Sequence, residues 1–296
     1  MNPAFTRTES RIGWIATVLI ALVTVLGAIA AWRESDALLK LNAALACAFF
    51  FWMLRVMTRE HLAAWRGTML FAGFWLAFPL FRAIRQFWIT RVFDAELLGI
   101  DRALWGGLSL PEHALRLESF ALSEIVSFGY AQFYFLVLLP VCWFARMRRT
   151  SESRRFFLGL TIMYVFGFVG YLLVPAGGPF IAFPSIFPYP PQGGAITQTL
   201  VDVVAQGATG MDVFPSLHCG LSLYVFGFFA GGAALPGKRA YLAAALILAT
   251  ICAPLILATV YLRYHYGIDL LVGAALAAAT LLFLHQSRFG SRFHEQ

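Results

Sequence analysis

Charged residues are scarce in this chain of 296 residues. Asp, Glu, Lys and Arg together make up 12% of it, whereas hydrophobic residues make up 60% and aromatic residues 16%. Ordinary soluble domains contain about 25% charged residues, so this composition excludes that class. The chain is therefore predicted to be an integral membrane protein that crosses the bilayer several times.

Cysteine is also rare, and its placement excludes two common uses. The chain has four cysteines, which stand singly in apolar stretches: Cys47, Cys142, Cys219 and Cys252. They lack the paired spacing of metal ligands, and their apolar surroundings do not suggest a disulfide framework. These four are predicted to be small core residues, and they leave the redox compartment open.

The basic residues do not form one continuous surface, although the net charge is +7. They cluster in short connections between apolar runs, namely Arg55, Arg59 and Arg66; Arg146, Arg148, Arg149, Arg154 and Arg155; Lys238 and Arg239; and Arg288 and Arg292. This distribution is typical of cytoplasmic loops under the positive-inside rule. It indicates membrane orientation and excludes nucleic acid as a partner.

Eight apolar runs have about the 20 residues needed to cross a hydrocarbon layer of about 30 Å. They cover approximately residues 12–32, 38–57, 68–88, 122–144, 156–175, 214–234, 240–260 and 265–285. The predicted fold class is therefore all-α, a polytopic helical membrane bundle of about eight transmembrane helices. With the arginine clusters in the cytoplasm, both termini are expected to be cytoplasmic.

The first apolar run ends in Ala28-Ile29-Ala30, a pattern that a signal peptidase can recognise. The run is longer than the 7–15 residues usual for a signal peptide. It is therefore expected to remain as an uncleaved anchor.

Two long connections fall on the predicted non-cytoplasmic side. Residues 89–121 mix charged with large apolar side chains, which is typical of one or two helices at the membrane surface. Residues 176–213 begin with Gly177-Gly178-Pro179, contain several further prolines and have no Lys or Arg. This second connection is predicted to be an irregular loop that leads into the sixth span.

Ionisable side chains at the ends of two spans point to chemistry, because such groups are costly in a membrane. His265 and Asp269 are four residues apart. In a helix they share a face, so the carboxylate can orient the imidazole. His218 follows Pro215-Ser216, the expected first turn of a helix, whose N–H groups and dipole favour an anion. Two histidines, a carboxylate and an anion cradle indicate phosphoryl transfer.

A purely structural interpretation of these residues is also open. His265 and Asp269 could close a helix start, and His218 could be an interfacial histidine. Ser216 is equally suited to capping a helix, and Arg263 to reaching lipid headgroups. Tyr130 and Tyr134 are predicted to be packing aromatics, with a place near the substrate headgroup as the alternative.

The motifs resemble those of a known family. The runs FPSLHCG (214–220) and YLRYHYGIDLLVG (261–273) are similar to the second and third signature motifs of the type 2 phosphatidic acid phosphatase superfamily. With GYLLVPAGGPF (170–180), they most resemble the branch of the fungal inositol phosphorylceramide synthases and bacterial relatives. The resemblance covers roughly residues 120–285.

This resemblance implies a division of the chain. Residues 1–66 would comprise an N-terminal cytoplasmic segment with two accessory transmembrane helices. Residues 67–296 would form a six-helix catalytic membrane domain, with an interfacial segment near 89–121.

The resemblance also implies roles for the three catalytic candidates. His265 would attack phosphorus to give a phosphohistidine, with Asp269 holding its ring, and His218 would act as acid and then as base. The reaction requires no metal, and no cofactor is expected.

One departure from the family concerns the phosphate-binding cation. The usual third motif carries Ser-Arg where this chain has Ala258 and Thr259, and the Lys and Arg-Pro of the first motif are absent. Arg263 is the nearest replacement cation, with Arg82 and Arg85 further away. The residues predicted to bind substrate or phosphate are Ser216, Arg263, Gly178, Tyr171 and Arg116.

The function expected is a membrane lipid phosphotransferase or phosphatase that acts on a phospholipid or lipid phosphate at the non-cytoplasmic face. Resemblance to sphingolipid headgroup synthases favours transfer to a lipid alcohol. The alternatives are a lipid phosphate phosphatase that uses water, and a non-enzymatic lipid transporter or lipid-binding protein. Composition suggests a bacterial inner membrane; the oligomeric state stays open.

Overall fold

The computed structural model describes residues 3–233 and 239–292. Within these residues every regular element is a helix, so the predicted all-α fold class is confirmed. A helix suits this composition, because it satisfies its own backbone hydrogen bonds where lipid offers no water. Lys238, one of the predicted cytoplasmic cations, lies outside the described residues.

Thirteen helices follow one another along the described chain. The first six are α1 (Pro3–Ala31), α2 (Ala37–Thr58), α3 (Arg66–Ala77), α4 (Phe81–Trp88), α5 (Asp94–Leu104) and α6 (Leu110–Leu115). The others are α7 (Phe120–Arg146), α8 (Ser151–Leu173), α9 (Pro179–Ala182), α10 (Ala195–Gly207), α11 (Leu217–Ala233), α12 (Arg239–Tyr261) and α13 (Gly267–Arg292).

In the part of the chain that is described, seven helical segments are long and apolar enough to cross a membrane. They correspond to seven of the eight predicted spans. The remaining span, predicted over 214–234, forms α11, which has 17 residues. At about 1.5 Å per residue its length is about 26 Å. The predicted polytopic helical membrane bundle is thus confirmed, with α11 as a shorter member.

The third predicted span, 68–88, is interrupted near its middle. Helix α3 ends at Ala77, a 3₁₀ turn covers Phe78–Leu80, and α4 begins at Phe81. Pro79 explains the break, since proline lacks a backbone N–H and its ring clashes with the preceding helical turn.

The first two helices pack on each other and on the rest of the bundle. Both contact α3, and α1 also contacts α4 and α8. Gly27 permits one close approach, because a Cβ there would lie 2.5 Å from the Cβ of Leu80. The two helices therefore form one packed body with the remainder, and the predicted division at residue 66 stays a prediction.

The predicted interfacial segment contains the two short helices α5 and α6, which an ion pair joins. Arg102 and Glu112 approach to 2.6 Å, and this hydrogen-bonded partner lowers the pKa of Glu112 to about 2. Asp101 accepts the backbone N–H of Ile268 at 2.8 Å. Since Ile268 lies in the first turn of α13, the segment is docked beside the second histidine motif.

Candidate active site

The start of α11 presents the first histidine motif. Ser216 caps this helix, because its Oγ accepts the backbone N–H of Cys219 at 3.2 Å. The backbone N–H of Ser216 donates to the backbone carbonyl of Asp269 at 3.1 Å. Gly273 permits this approach, since a Cβ there would lie 2.4 Å from the carbonyl oxygen of Ser216. The two motifs are thus joined through their backbones.

A tight turn between α12 and α13 presents the second histidine. The backbone N–H groups of Tyr264 and His265 both donate to the carbonyl of Thr259, at 2.9 and 3.1 Å. Arg263 in this turn has a φ of 66°, a left-handed conformation that is uncommon outside glycine. The turn directs the His265 side chain into the protein, where it is 3% exposed.

His218 and His265 face each other. The Nδ1 atom of His218 lies 3.3 Å from the Nε2 atom of His265, and their ring centroids are 5.5 Å apart. The structure therefore brings the two predicted catalytic histidines together. One phosphoryl group is small enough to contact both rings.

Asp269 lies behind His265 and is fully buried. Its Oδ2 accepts the backbone N–H of Tyr266 at 2.8 Å and lies 3.5 Å from Nδ1 of His265. That distance makes an electrostatic contact longer than an ordinary hydrogen bond. Neither His265 Nδ1 nor Asp269 Oδ1 has a hydrogen-bond partner among the described residues.

Matching hydrogen-bond donors with acceptors gives one consistent assignment of protons to the ring nitrogens of His218 and His265. The Asp269 carboxylate only accepts, so it favours a proton on Nδ1 of His265 and leaves Nε2 as an acceptor. His218 Nδ1 then donates to that Nε2. His218 Nε2 in turn accepts from the hydroxyl of Tyr130, which lies 2.9 Å away. Both rings are neutral in this arrangement, and the lone pair on Nε2 of His265 accepts the hydrogen bond from Nδ1 of His218.

A cavity of about 210 Å³ opens beside the histidine pair. Both histidines line it, as does Tyr171, which the sequence predicted to contact substrate. Ten of the 21 lining residues are Phe, Tyr or Trp. Among the described residues that line it, the one fixed carboxylate is Asp212 and no side chain is Lys or Arg. A mostly apolar pocket with a few convergent polar groups is the usual form of a small-molecule site.

Gly177 and Gly178 direct their backbone N–H groups at a protein carboxylate. These groups donate to the two oxygens of Asp94, at 3.0 and 2.8 Å. The hydroxyl of Tyr266 donates to the same carboxylate at 3.0 Å. Burial raises the pKa of Asp94, and these hydrogen bonds oppose that rise. The Gly178 amide is therefore engaged in the loop, and its predicted contact with phosphate stays a prediction.

Arg263 is not among the residues that line the cavity. It is 1% exposed and pairs through Nη2 with Glu118. Its Nε and Nη1 atoms have no hydrogen-bond partner within the described residues. Arg116 is exposed just after α6. The structure thus places neither predicted arginine in the cavity lining beside the histidines.

Glu124, near the start of α7, serves as a cap for another helix. Its Oε1 atom accepts hydrogen bonds from the backbone N–H groups of Gly194 and Thr197, both at 2.9 Å. These residues begin α10, so Glu124 satisfies amides that the helix itself leaves free. Residues of α10 line the cavity, so Glu124 supports part of its wall.

The sequence analysis undervalued one residue of this site and overlooked another. Tyr130, taken mainly as a packing aromatic, contacts His218 directly. Asp212 was not singled out, although it stands six residues before His218 in a connection that lacks Lys and Arg. That local excess of negative charge was the available signal, and its significance depends on Asp212 lining the same cavity.

The residues of this site fall inside a match to a known family. A model described as the PAP2 superfamily matches residues 95–283, a range that contains both histidines, Asp269, Tyr130 and Asp212. No curated protein and no solved structure gives a significant match. The superfamily comprises phosphatases and phosphotransferases, which agrees with a paired-histidine site.

Proposed function

The chain belongs to the PAP2 superfamily, and on that premise we propose that it cleaves a lipid phosphate or phosphodiester through a covalent phosphohistidine. The family supports phosphatase or phosphotransferase chemistry. The observation that carries the finer proposal is the 3.3 Å contact between His218 Nδ1 and His265 Nε2 at the edge of one cavity.

In the first half-reaction Nε2 of His265 attacks phosphorus. The P–N bond forms as the bond from phosphorus to the leaving oxygen breaks. That oxygen takes a proton from the imidazolium form of His218, which carries protons on both ring nitrogens before this step and is neutral after it. Asp269 stabilises the positive charge that develops on the His265 ring. Positioning and charge stabilisation supply most of the catalysis, because the transferred phosphoryl group needs little covalent help.

Substrate must separate the two rings before this step. A hydrogen bond of 3.3 Å joins them directly, and this gap is too short to hold a phosphorus atom and its leaving oxygen in line. The contacts that must adjust are those of His218, which is bonded to Tyr130, since His265 is anchored by its backbone.

In the second half-reaction an acceptor hydroxyl attacks the phosphohistidine. Its proton passes to His218 as the new P–O bond forms and the P–N bond breaks, which restores both rings. We propose a lipid alcohol as the acceptor, as in a sphingolipid headgroup synthase. The aromatic walls of the cavity support this choice, because they exclude water from the reactive intermediate.

The proposed site faces the non-cytoplasmic side of a bacterial inner membrane. The cluster of arginines between α7 and α8 lies at the start of α8, whereas the loop after α8 reaches the histidines. Arg148 also stacks on Trp65 at 4.1 Å, which brings the connection before α3 to that same end. Positive residues thus gather at the end opposite the site, as the positive-inside rule requires.

The test uses the purified full-length protein with a labelled phospholipid and a lipid alcohol. The expected product is a new labelled lipid, together with an acid-labile labelled protein adduct that His265→Ala abolishes. His61→Ala is the matched control, since His61 is exposed in the turn before α3.

The products separate the alternatives. Free phosphate or a free headgroup phosphate without new lipid would establish hydrolysis and overturn the acceptor. Equal turnover by wild type and His265→Ala would overturn the phosphohistidine. Lipid movement across vesicles that survives loss of both histidines would point to transport.

A further inference from the structure

The charges around the cavity are unusual for a site that receives phosphate. Asp212 lines the cavity, and Asp269 lies behind His265, yet none of the described lining residues is Lys or Arg. Two arginines nearby lie outside this lining: Arg263 pairs with Glu118 through Nη2, and Arg85 donates to the carbonyl of Ile89. The fixed charge near the histidines is therefore negative.

This charge discriminates between classes of phospholipid. A phosphate monoester carries a charge of about −1.5 to −2 near neutral pH, so it would meet carboxylates without a compensating arginine. Repulsion between like charges at close range is strengthened by the low dielectric of a buried site. A phosphodiester whose headgroup carries a cation has no net charge, and its cation can approach a carboxylate while its phosphate contacts the histidines.

Asp212 is placed to receive such a cation. It lies in the loop just before α11, where the Thr209 hydroxyl donates to its Oδ1 at 2.6 Å. Asp212 lines the same cavity as His265, Tyr130 and Tyr171. Burial raises the pKa of Asp212, which reflects the cost of holding a carboxylate without a cation.

The walls of the cavity provide a second means of binding a cation. Tyr130 and Tyr171 line the cavity together with Asp212, and so do Trp75, Phe133 and Tyr134. Aromatic faces attract ammonium groups through their quadrupole, and cages of such rings bind quaternary ammonium ions. A carboxylate flanked by aromatic rings suits an amine or quaternary ammonium better than a sugar or a bare phosphate.

We propose that the substrate is a zwitterionic phospholipid with an amino-alcohol headgroup, whose cation is held by Asp212 and the aromatic walls while its phosphate lies against His218 and His265. This inference rests on the proposed function. Because the cavity holds the headgroup, the headgroup stays on phosphorus. The bond from phosphorus to the diacylglycerol oxygen breaks, diacylglycerol leaves with the proton of His218, and the phosphorylated headgroup passes to the acceptor hydroxyl.

The test compares four lipids with identical acyl chains in the presence of a lipid alcohol and the full-length protein. Phosphatidylcholine and phosphatidylethanolamine carry a cation, phosphatidylglycerol is a diester without one, and phosphatidic acid is a monoester. The expected kcat/KM is at least about tenfold higher for the two zwitterionic lipids than for the other two. Their product besides the new lipid is diacylglycerol.

Asp212→Asn gives the decisive comparison, because Asn can keep the hydrogen bond with Thr209 while losing the charge. It is expected to lower kcat/KM for the zwitterionic lipids about tenfold and to leave phosphatidylglycerol turnover the same or higher. Asp212→Glu keeps the charge and is expected to keep the preference. If Asp212 served the chemistry instead, all four lipids would lose activity by the same factor.

Three results would overturn this inference and leave the proposed function intact. The first is a preference for phosphatidylglycerol or phosphatidic acid that still requires His265. The others are an equal loss of activity on every lipid in Asp212→Asn, and release of free choline in place of diacylglycerol. Failure of every lipid to react, with wild type matching His265→Ala, would instead overturn the proposed function on which the inference rests.

Discussion

The hydroxyl of Tyr130 lies 2.9 Å from Nε2 of His218, although 88 positions separate the two residues in the chain. This contact holds the His218 ring so that Nδ1 faces His265. The Tyr130 hydroxyl can donate to Nε2 of the neutral ring and accept from Nε2 of the protonated ring, so it supports His218 both as base and as acid. Tyr130 is therefore a positioning residue for the proposed acid.

Tyr130→Phe tests this relationship, because it removes one hydroxyl and keeps the ring. The expected result is a fall in kcat of about tenfold, the size of one hydrogen bond of about 1.4 kcal/mol. Tyr224→Phe is the matched control, since its buried hydroxyl donates to the carbonyl of Phe156 at 2.7 Å outside the cavity. A loss of equal size in both variants would assign the effect of Tyr130→Phe to stability.

The proposed division of labour between the histidines predicts a rescue by the leaving group. Nitrophenolate needs no proton to leave. A nitrophenyl phosphodiester should therefore still form the covalent adduct at His265 in the His218→Gln variant. With a natural lipid the same variant is expected to lose about 10²–10⁴-fold in rate. His265→Gln is expected to fail with both substrates, as measured by the labelled protein adduct. Adduct formation in His265→Gln would contradict the assignment of the nucleophile.

The close approach of α11 and α13 predicts a sharp difference between two glycines. In Gly273→Ala the new methyl would lie 2.4 Å from the carbonyl oxygen of Ser216, so the helices must move apart at the site. The expected loss of stability is about 1–3 kcal/mol, with a larger relative fall in activity. It is measured by thermal unfolding and turnover.

Gly231→Ala provides the control, since a Cβ at Gly231 meets nothing within 4 Å. Alanine favours a helix over glycine by about 1 kcal/mol, so this variant should be as stable as wild type or more so. Unchanged activity and stability in Gly273→Ala would show that the two motifs tolerate separation.

The ion pair between Arg102 and Glu112 predicts a pH dependence of stability. The hydrogen-bonded arginine lowers the pKa of Glu112 from 4.5 to about 2. A carboxylate whose pKa is lower in the folded state stabilises that state above its unfolded pKa. The contribution is therefore complete above about pH 4.5 and is lost as the pH falls towards 2.

The measurement is the thermal unfolding midpoint of wild type and Glu112→Gln from pH 7 to pH 3. The difference between the two is expected to narrow as the pH falls below 4.5. Glu60→Gln is the control, because Glu60 is 88% exposed in its pair with Arg66 and such surface pairs contribute little. A constant difference across this range would contradict the prediction for Glu112.

Much of the fold could be predicted from local patterns. Seven spans were found because each is long and apolar enough to be recognised without its neighbours. The break at Pro79 was missed within the run 68–88, since hydrophobicity continues through it and reports nothing about backbone geometry. The start of α11 was placed three residues early for the same reason, because apolar Phe214 and Pro215 precede the helix.

The ionisable groups of the site could be predicted from the sequence. The residues that they contact could not. His218, His265 and Asp269 stood out because such residues are costly at the ends of apolar runs. Arg263 was the nearest cation along the chain, yet it has a φ of 66° in the turn, pairs with Glu118 and is not among the cavity-lining residues. Proximity in sequence does not determine the direction of a side chain in such a turn.

The amino-acid sequence by itself determined the membrane environment, the helical class and the identity of the reactive groups, because these follow from composition, run length and short spacings. Tertiary structure alone decided which of those groups meet. The contact of Tyr130 with His218, the cavity lined by Asp212 and the engagement of Gly178 by Asp94 join residues far apart in the chain. Such contacts depend on helix packing and on the course of the two long connections, 89–121 and 176–213, which no local pattern specifies.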